Sequence, residues 1–248
     1  MENRTNLLPA IAIFLGLVIG AMMLGRSVEK FRTGDRTISV KGFSEREVKS
    51  DFVIWSLKIR IASNDVGEGS RTVETAKNKV MEFLSANGIK KEETIVQDLR
   101  VTDKQAREYG PQENNSFRYI IEEVIDVRSS SVDLVQQVSR KTGDLLHAGV
   151  ILTRDEYGNN SLRFIFTKLN DIKPAMISEA IASAKSAAER FAKESSTSLG
   201  RLRKASQGYF TVIDRELSYT QQGEGMGGST SDLYKKVRVV ISADYDID

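Results

Sequence analysis

Residues 52–88 read FVIWSLKIRIASNDVGEGSRTVETAKNKVMEFLSANG, and a change of period inside them decides the fold. Val53, Trp55, Leu57, Ile59 and Ile61 alternate with Ser56, Lys58 and Arg60, the period of two expected of a strand with one buried face. Asn64 and Asp65 then offer a helix N-cap, and Glu68 stands three residues past Asp65 as in a capping box. Val73, Ala76, Val80, Phe83 and Leu84 follow at helical spacing. Gly88 supplies the left-handed residue on which helices often end.

Working outward, Thr37–Phe43 reads as a short strand before this stretch. Strands are expected after it at 94–103 and 117–128, joined by a polar loop through Gly110 and Pro111. Ser131 is placed to cap a second helix carrying Leu134, Val138 and Leu145. A strand at 150–153 leads through Gly158, Asn159 and Asn160 to the alternating Leu162, Phe164 and Phe166. Asp171 is placed to cap the longest soluble helix, with Pro174 in its first turn. That helix shows an apolar stripe of Ile177, Ile181, Ala184, Ala188 and Phe191, and Gly200 ends it. Strands at 202–213 and 233–247 close the chain, the last alternating through Val237, Val239, Ile241, Ala243 and Tyr245.

The pattern strand, helix, glycine stop, strand, loop, strand therefore occurs over 52–128 and again over 162–247. It predicts an α+β protein in which two strand–helix–strand–strand repeats form antiparallel sheets covered by helices on one face. The third helix is rich in alanine, at 180, 182, 184, 187, 188 and 192, so another element can approach it closely, either its own sheet or a neighbouring subunit.

Ahead of this body, Leu7–Leu24 (LLPAIAIFLGLVIGAMML) carries no charge and lies between Arg4 and Arg26. A hydrocarbon core about 30 Å thick needs roughly 20 apolar residues, and this run just reaches that length. Residues 1–6 read as a short flank, 7–24 as a transmembrane anchor and 25–36 as a charged stalk. Residues 37–248 read as the folded body, with subregions at 37–130 and 131–248. A cleaved signal peptide is the rival reading, with Val18 and Gly20 as a passable cleavage site. The length of the run and its Met22-Met23-Leu24 ending favour a retained or uncleaved segment. Arg26, Lys30, Arg32 and Arg36 follow the span while Arg4 precedes it, a count that by itself puts the body in the cytoplasm.

With 36 basic and 34 acidic residues and no basic block, nucleic-acid binding has no support. The chain has no cysteine, which excludes disulfides, thiolate metal sites and cysteine nucleophiles. His147 is the sole histidine and stands near a helix end, where interaction with the last carbonyls is the expected role. Gly223–Gly228 (GEGMGG) looks like a phosphate loop, but a strand follows it where such loops open into a helix, so it reads as a hairpin tip. Glu123 falls on the apolar phase with Tyr119, Ile121 and Ile125, beside Glu122, and calls for a pairing Arg or Lys across the strands. A proton-relay or catalytic carboxylate is the sharper alternative. Asp244, Asp246 and Asp248 read as a solvated acidic strand edge, and Trp55 as core. The sequence implies no catalytic, cofactor-binding or metal-binding residue.

Three blocks, in order, resemble the SIMPL-domain family: TISVKGFSEREVKSDFVIWSLKI at 37–59, Ala76–Val101 with its Asn-Gly-Ile helix end, and AIASAKSAAERFAKESSTSLG at 180–200. The chain departs from the family pattern at Ser50, where proline often precedes the aspartate. The resemblance implies a protein exported to the bacterial periplasm or envelope, in some members linked to oxidative-stress defence and in one assembled into a channel-like ring. It implies no agreed enzymatic activity. On this ground the body is expected outside the cytoplasmic (inner) membrane, against the charge count. The expected function is a non-enzymatic, single-pass membrane-anchored protein that contacts the lipid bilayer through Leu7–Leu24 and forms a homo-oligomer. The alternatives are a periplasmic module binding a small molecule or peptide, and, third, a carboxylate-dependent enzyme.

Overall fold

The computed structural model describes residues 13–23, 36–106, 117–153, 162–216 and 231–247. After a helical segment at 13–23, the elements are β1 (Thr37–Lys49), β2 (Phe52–Ser63), α1 (Val66–Ala86), β3 (Thr94–Val96), β4 (Arg100–Asp103) and β5 (Tyr119–Ser129). They continue with α2 (Val132–Ser139), α3 (Gly143–His147), β6 (Leu152–Thr153), β7 (Leu162–Ile165), α4 (Leu169–Glu194), β8 (Leu199–Gln207), β9 (Thr211–Asp214) and β10 (Tyr234–Ile247). This is a mixed α/β architecture with antiparallel sheets. The chain divides into two compact units, a larger one from Glu45–Pro174 and Phe210–Arg238 and a smaller one from Met1–Ser44, Ala175–Tyr209 and Val239–Asp248.

In the larger unit, β2 and β5 pair in unbroken register from Val53–Ser129 to Ser63–Tyr119. β3 and β4 pair with β5, while β6 and β7 pair with β2, every ladder antiparallel. The alternation read in residues 53–61 sets Trp55 against Val127 and Leu57 against Ile125, all of them buried. Val73, Ala76, Val80 and Leu84 of α1 join the same core, with Val132, Val135 and Val138 of α2 and Leu145 of α3. Fully burying a large apolar side chain contributes about 1.5–3 kcal/mol, so this one face supplies much of the driving force of the unit.

Helix α1 begins and ends by local chemistry. The Asp65 carboxylate accepts the Glu68 amide at 2.7 Å. The reciprocal half of the expected capping box is absent, because the Asp65 amide already donates to Ser63 Oγ at 3.1 Å. At the far end Gly88 takes φ +85. Its amide reaches Ser85 O and that of Ile89 reaches Leu84 O, both at 3.0 Å, closing the helix in a Schellman motif.

The smaller unit takes its sheet from β1, β10 and β8, with β10 between the other two. β8 runs antiparallel to β10 from Gln207–Ile241 to Leu199–Ile247, with two register shifts. The buried stripe of α4 is Met176, Ala180, Ala184, Ala188 and Ala192: Ala184 and Ala188 lie in it as expected, while Met176, Ala180 and Ala192 take the places expected of Ile177, Ile181 and Phe191. Ile181 and Phe191 are exposed. The reason is close approach. A Cβ at Gly42 of β1 would overlap the Ala180 carbonyl oxygen and the Ala184 backbone, so the helix lies against the strand with only methyl groups between them. The alanines thus serve the chain's own sheet.

Other expectations are corrected by competing hydrogen bonds. The second helix is two short ones, since Ser139 Oγ donates to Gln136 O at 2.8 Å and Thr142 Oγ1 to Ser139 O at 3.3 Å, which breaks the run. Ser131 makes no side-chain cap bond. Asp171 is not a cap: α4 already begins at Leu169, and Asp171 lies in its first turn with Pro174 inside the helix. β1 runs on to Lys49, beyond the expected Phe43, with Glu45 paired to Lys236 at 2.8 Å and Arg238 at 3.3 Å. The 202–213 strand divides into β8 and β9, and the elements of the second sequence repeat are shared between both sheets, β7 pairing with β2.

Of the expected span Leu7–Leu24, residues 13–23 are described; they are helical, with their large apolar side chains 48% to 69% exposed. Among the described residues no helix is long and apolar enough to cross a membrane. The turns at Gly110–Pro111, at Gly158–Asn160 and at Gly223–Gly228 lie outside the described residues, as do Arg4 and residues 24–35.

Substituting Gly42→Val should lower stability by about 3 kcal/mol, the upper range for forcing volume into a packed site, because the obstructing atoms are backbone. Denaturant unfolding of the full chain measures this; an unchanged midpoint would refute the close helix–strand approach.

Candidate functional site

The turn between β1 and β2 gathers several polar contacts. The Asp51 carboxylate accepts from the Thr167 amide and from Thr167 Oγ1, each at 2.7 Å. These bonds tie the strand entry to Thr167, two residues before α4. Burial alone would raise the Asp51 pKa, but the two Thr167 bonds outweigh it, with Lys168 adding its charge, and hold the carboxyl below the ordinary range. Beside it Lys49 Nζ grips both Asp133 oxygens, at 2.8 and 2.7 Å, and this hydrogen bonding raises the lysine above its ordinary value. A cavity of about 650 Å³ opens between Lys49–Phe52, Ser130–Leu134 and Thr167–Lys168. Ser50, buried at its wall, has an Oγ without a hydrogen-bond partner among the described residues.

The paired carboxylates of β5 face opposite ways. Glu122 lies on the polar face with Arg60 Nε at 3.1 Å and Lys58 Nζ at 3.4 Å. Glu123 is buried on the apolar face. Its cross-strand neighbour is Ile59, so the expected cross-strand cation is replaced by Lys77, reaching down from α1 to 3.6 Å. The second oxygen of Glu123 has no hydrogen-bond partner among the described residues. Three positions on, Asp126 accepts from Ser56 Oγ at 2.7 Å and from Gln97 Nε2 at 3.0 Å.

Trp55 is in the core. His147 is exposed in the last turn of α3. Asp244 and Asp246 are not an edge fringe, because β10 lies between β1 and β8; Asp246 pairs with Arg203 at 2.9 Å, and Asp244 stands opposite Lys204. Asp248 is outside the described residues. The described residues contain no cluster of three or more His, Asp or Glu placed to hold a metal ion.

Sequence reasoning missed the most deeply buried ion pair, Asp214 with Lys235. Asp214 also accepts from the Ser231 amide at 3.0 Å, Ser231 Oγ at 3.1 Å and the Asp232 amide at 3.2 Å, which closes the base of the β9–β10 connection. The signal was present: Lys235 shares the buried phase of Val237, Val239 and Ile241.

Antiparallel sheets, helices packed on the apolar face of the larger one, and polar clusters at the strand ends define a mixed α/β envelope for the matched region. Residues 38–244 match the SIMPL family, described as a protein of unknown function (DUF541), and the chain belongs to that family. No curated protein matches it.

Asp214→Asn should cost about 3–5 kcal/mol, because it leaves Lys235 buried and uncompensated; an unfolding midpoint like that of the parent would overturn this. The pH dependence of Asp51 has a defined sign. Its folded pKa lies below the unfolded value, so its stabilisation is complete above the usual carboxylate range and fades as pH falls through the lowered value. The stability gap between the parent and Asp51→Asn, measured by unfolding at each pH, should therefore be widest near neutrality and close below about pH 4.

Proposed function

We propose that the chain is a non-enzymatic envelope protein of the bacterial cytoplasmic membrane. A single N-terminal helix holds its folded body on the periplasmic side, and the body self-associates there into a ring or a similar homo-oligomer. A part in envelope or oxidative-stress defence follows from the family resemblance. The observation that carries the reading is the N-terminal apolar run. Residues 13–23 hold eight large apolar side chains exposed along a helix, from Ile13 to Met23, and no charge interrupts the sequence from Leu7 to Leu24. At helical rise the whole run spans on the order of 27 Å, close to a hydrocarbon core.

Tethering supports assembly. Subunits confined to one surface meet at raised effective concentration, so weak lateral contacts suffice. The smaller unit offers uncovered apolar side chains for such contacts: Ile181 and Phe191 on α4, Leu202 on β8, and Tyr209, which is 95% exposed. The alanine stripe is excluded from that role, being occupied by β1. In this reading the patterns at 52–128 and 162–247 are related repeats whose strands are distributed over both sheets.

Two measurements test the proposal. The protein should stay in the membrane fraction through a carbonate wash and need detergent for extraction; release by salt would sink the tether. The detergent-solubilised protein should show a mass several times that of one chain, and Phe191→Glu with Tyr209→Glu should reduce it. A monomer over a wide concentration range would sink the assembly.

A further inference from the structure

The cavity beside Asp51 contains hydrogen-bond donors that the protein itself does not use. We propose that it binds a small oxyanion, a phosphate or carboxylate group, seated on the first turn of α2 and against Lys168. The first intrahelical bond of α2 runs from the Val135 amide to Ser131 O at 3.1 Å. Among the described residues, the amides of Val132, Asp133 and Leu134 before it have no partner, and Ser131 does not cap them. All three residues line the cavity. Such amides, with the positive end of the helix dipole, favour an anion.

Ser50 is the independent observation. It is 3% exposed, lines the same cavity, and its Oγ has no hydrogen-bond partner among the described residues. Buried hydroxyls are nearly always satisfied by protein, water or ligand.

The local charges leave room for an anion. Asp51 is held by Thr167 and Asp133 by Lys49, so both carboxylates are already engaged. The Lys168 side chain makes no hydrogen bond or ion pair among the described residues, although its charge acts on Asp51. Lys49 balances Asp133 and Lys168 balances the ionised Asp51, so the positive end of the α2 dipole sets the remaining bias toward an anion. A volume of about 650 Å³ admits more than a bare ion, so the oxyanion can belong to a larger small molecule.

The test uses the full chain in detergent, with backbone amides followed by NMR at constant ionic strength while inorganic phosphate or, separately, acetate is added. The expected result is a saturable shift confined to Ser50, Val132–Leu134 and Lys168, and the tighter-binding anion identifies the group. Lys168→Ala should weaken binding about tenfold, the loss of one charge-assisted contact. Ser131→Asp should abolish binding while raising the melting temperature, because its carboxylate would occupy the same amides. Shifts that fail to saturate with either anion, or that persist undiminished in both variants, would overturn the site.

Discussion

The ladder between β2 and β5 is the constraint on which the larger unit depends. Its register is unbroken, and a slip of one residue would turn Trp55, Leu57 and Ile59 out to the polar face and bring Ser56, Lys58 and Arg60 into the core. Both faces resist such a slip. On the apolar side Val127, Ile125 and Ile121 are buried opposite β2 and beneath α1. On the polar side Ser56 meets Asp126, and Arg60 meets Glu122, contacts that exist in one register only. Glu123 is the exception. Its carboxylate sits in the apolar layer with one oxygen facing Lys77 and the other unpaired among the described residues, a local cost the surrounding packing must offset.

The smaller unit follows a different physical rule. Here stability depends on how near a helix backbone can come to a strand. Gly42 removes the side chain on the strand, and Ala180, Ala184 and Ala188 reduce those on the helix to methyl groups. Close packing of backbone on backbone gains dispersion contacts that larger side chains would prevent. The larger apolar residues of the same helix are displaced to its flank, which accounts for the exposure of Ile181 and Phe191.

These two rules separate architecture from activity. The carboxylates of the larger unit that a catalytic reading would seize on are mostly bound: Asp214 by Lys235, Asp126 by Ser56 and Gln97, Asp51 by Thr167. Among the described residues, the Ser50 hydroxyl and the first amides of α2 are without partners, and they gather round one cavity. The proposed oxyanion site uses those unused groups, and the proposed assembly would use the exposed apolar side chains of the smaller unit.

How much of this could be read in advance depends on the range of the interaction responsible. The period-two run at 53–61, the cap at Asp65 and the stop at Gly88 are written in neighbouring residues, so the sequence alone determines β2, α1 and their amphipathic faces. Lys235 on a buried phase was legible in the same way. By contrast, the choice of buried stripe on α4 turned on Gly42, more than a hundred positions away, since Ile177, Ile181 and Phe191 form as good a helical row as the alanines. The partner of Glu123, the position of β10 between two strands and the pairing of β7 with β2 likewise belong to the tertiary structure alone. Helical and strand periods say which side chains share a face; they do not say which face meets another, because that is decided by the shape and reach of residues distant in the chain.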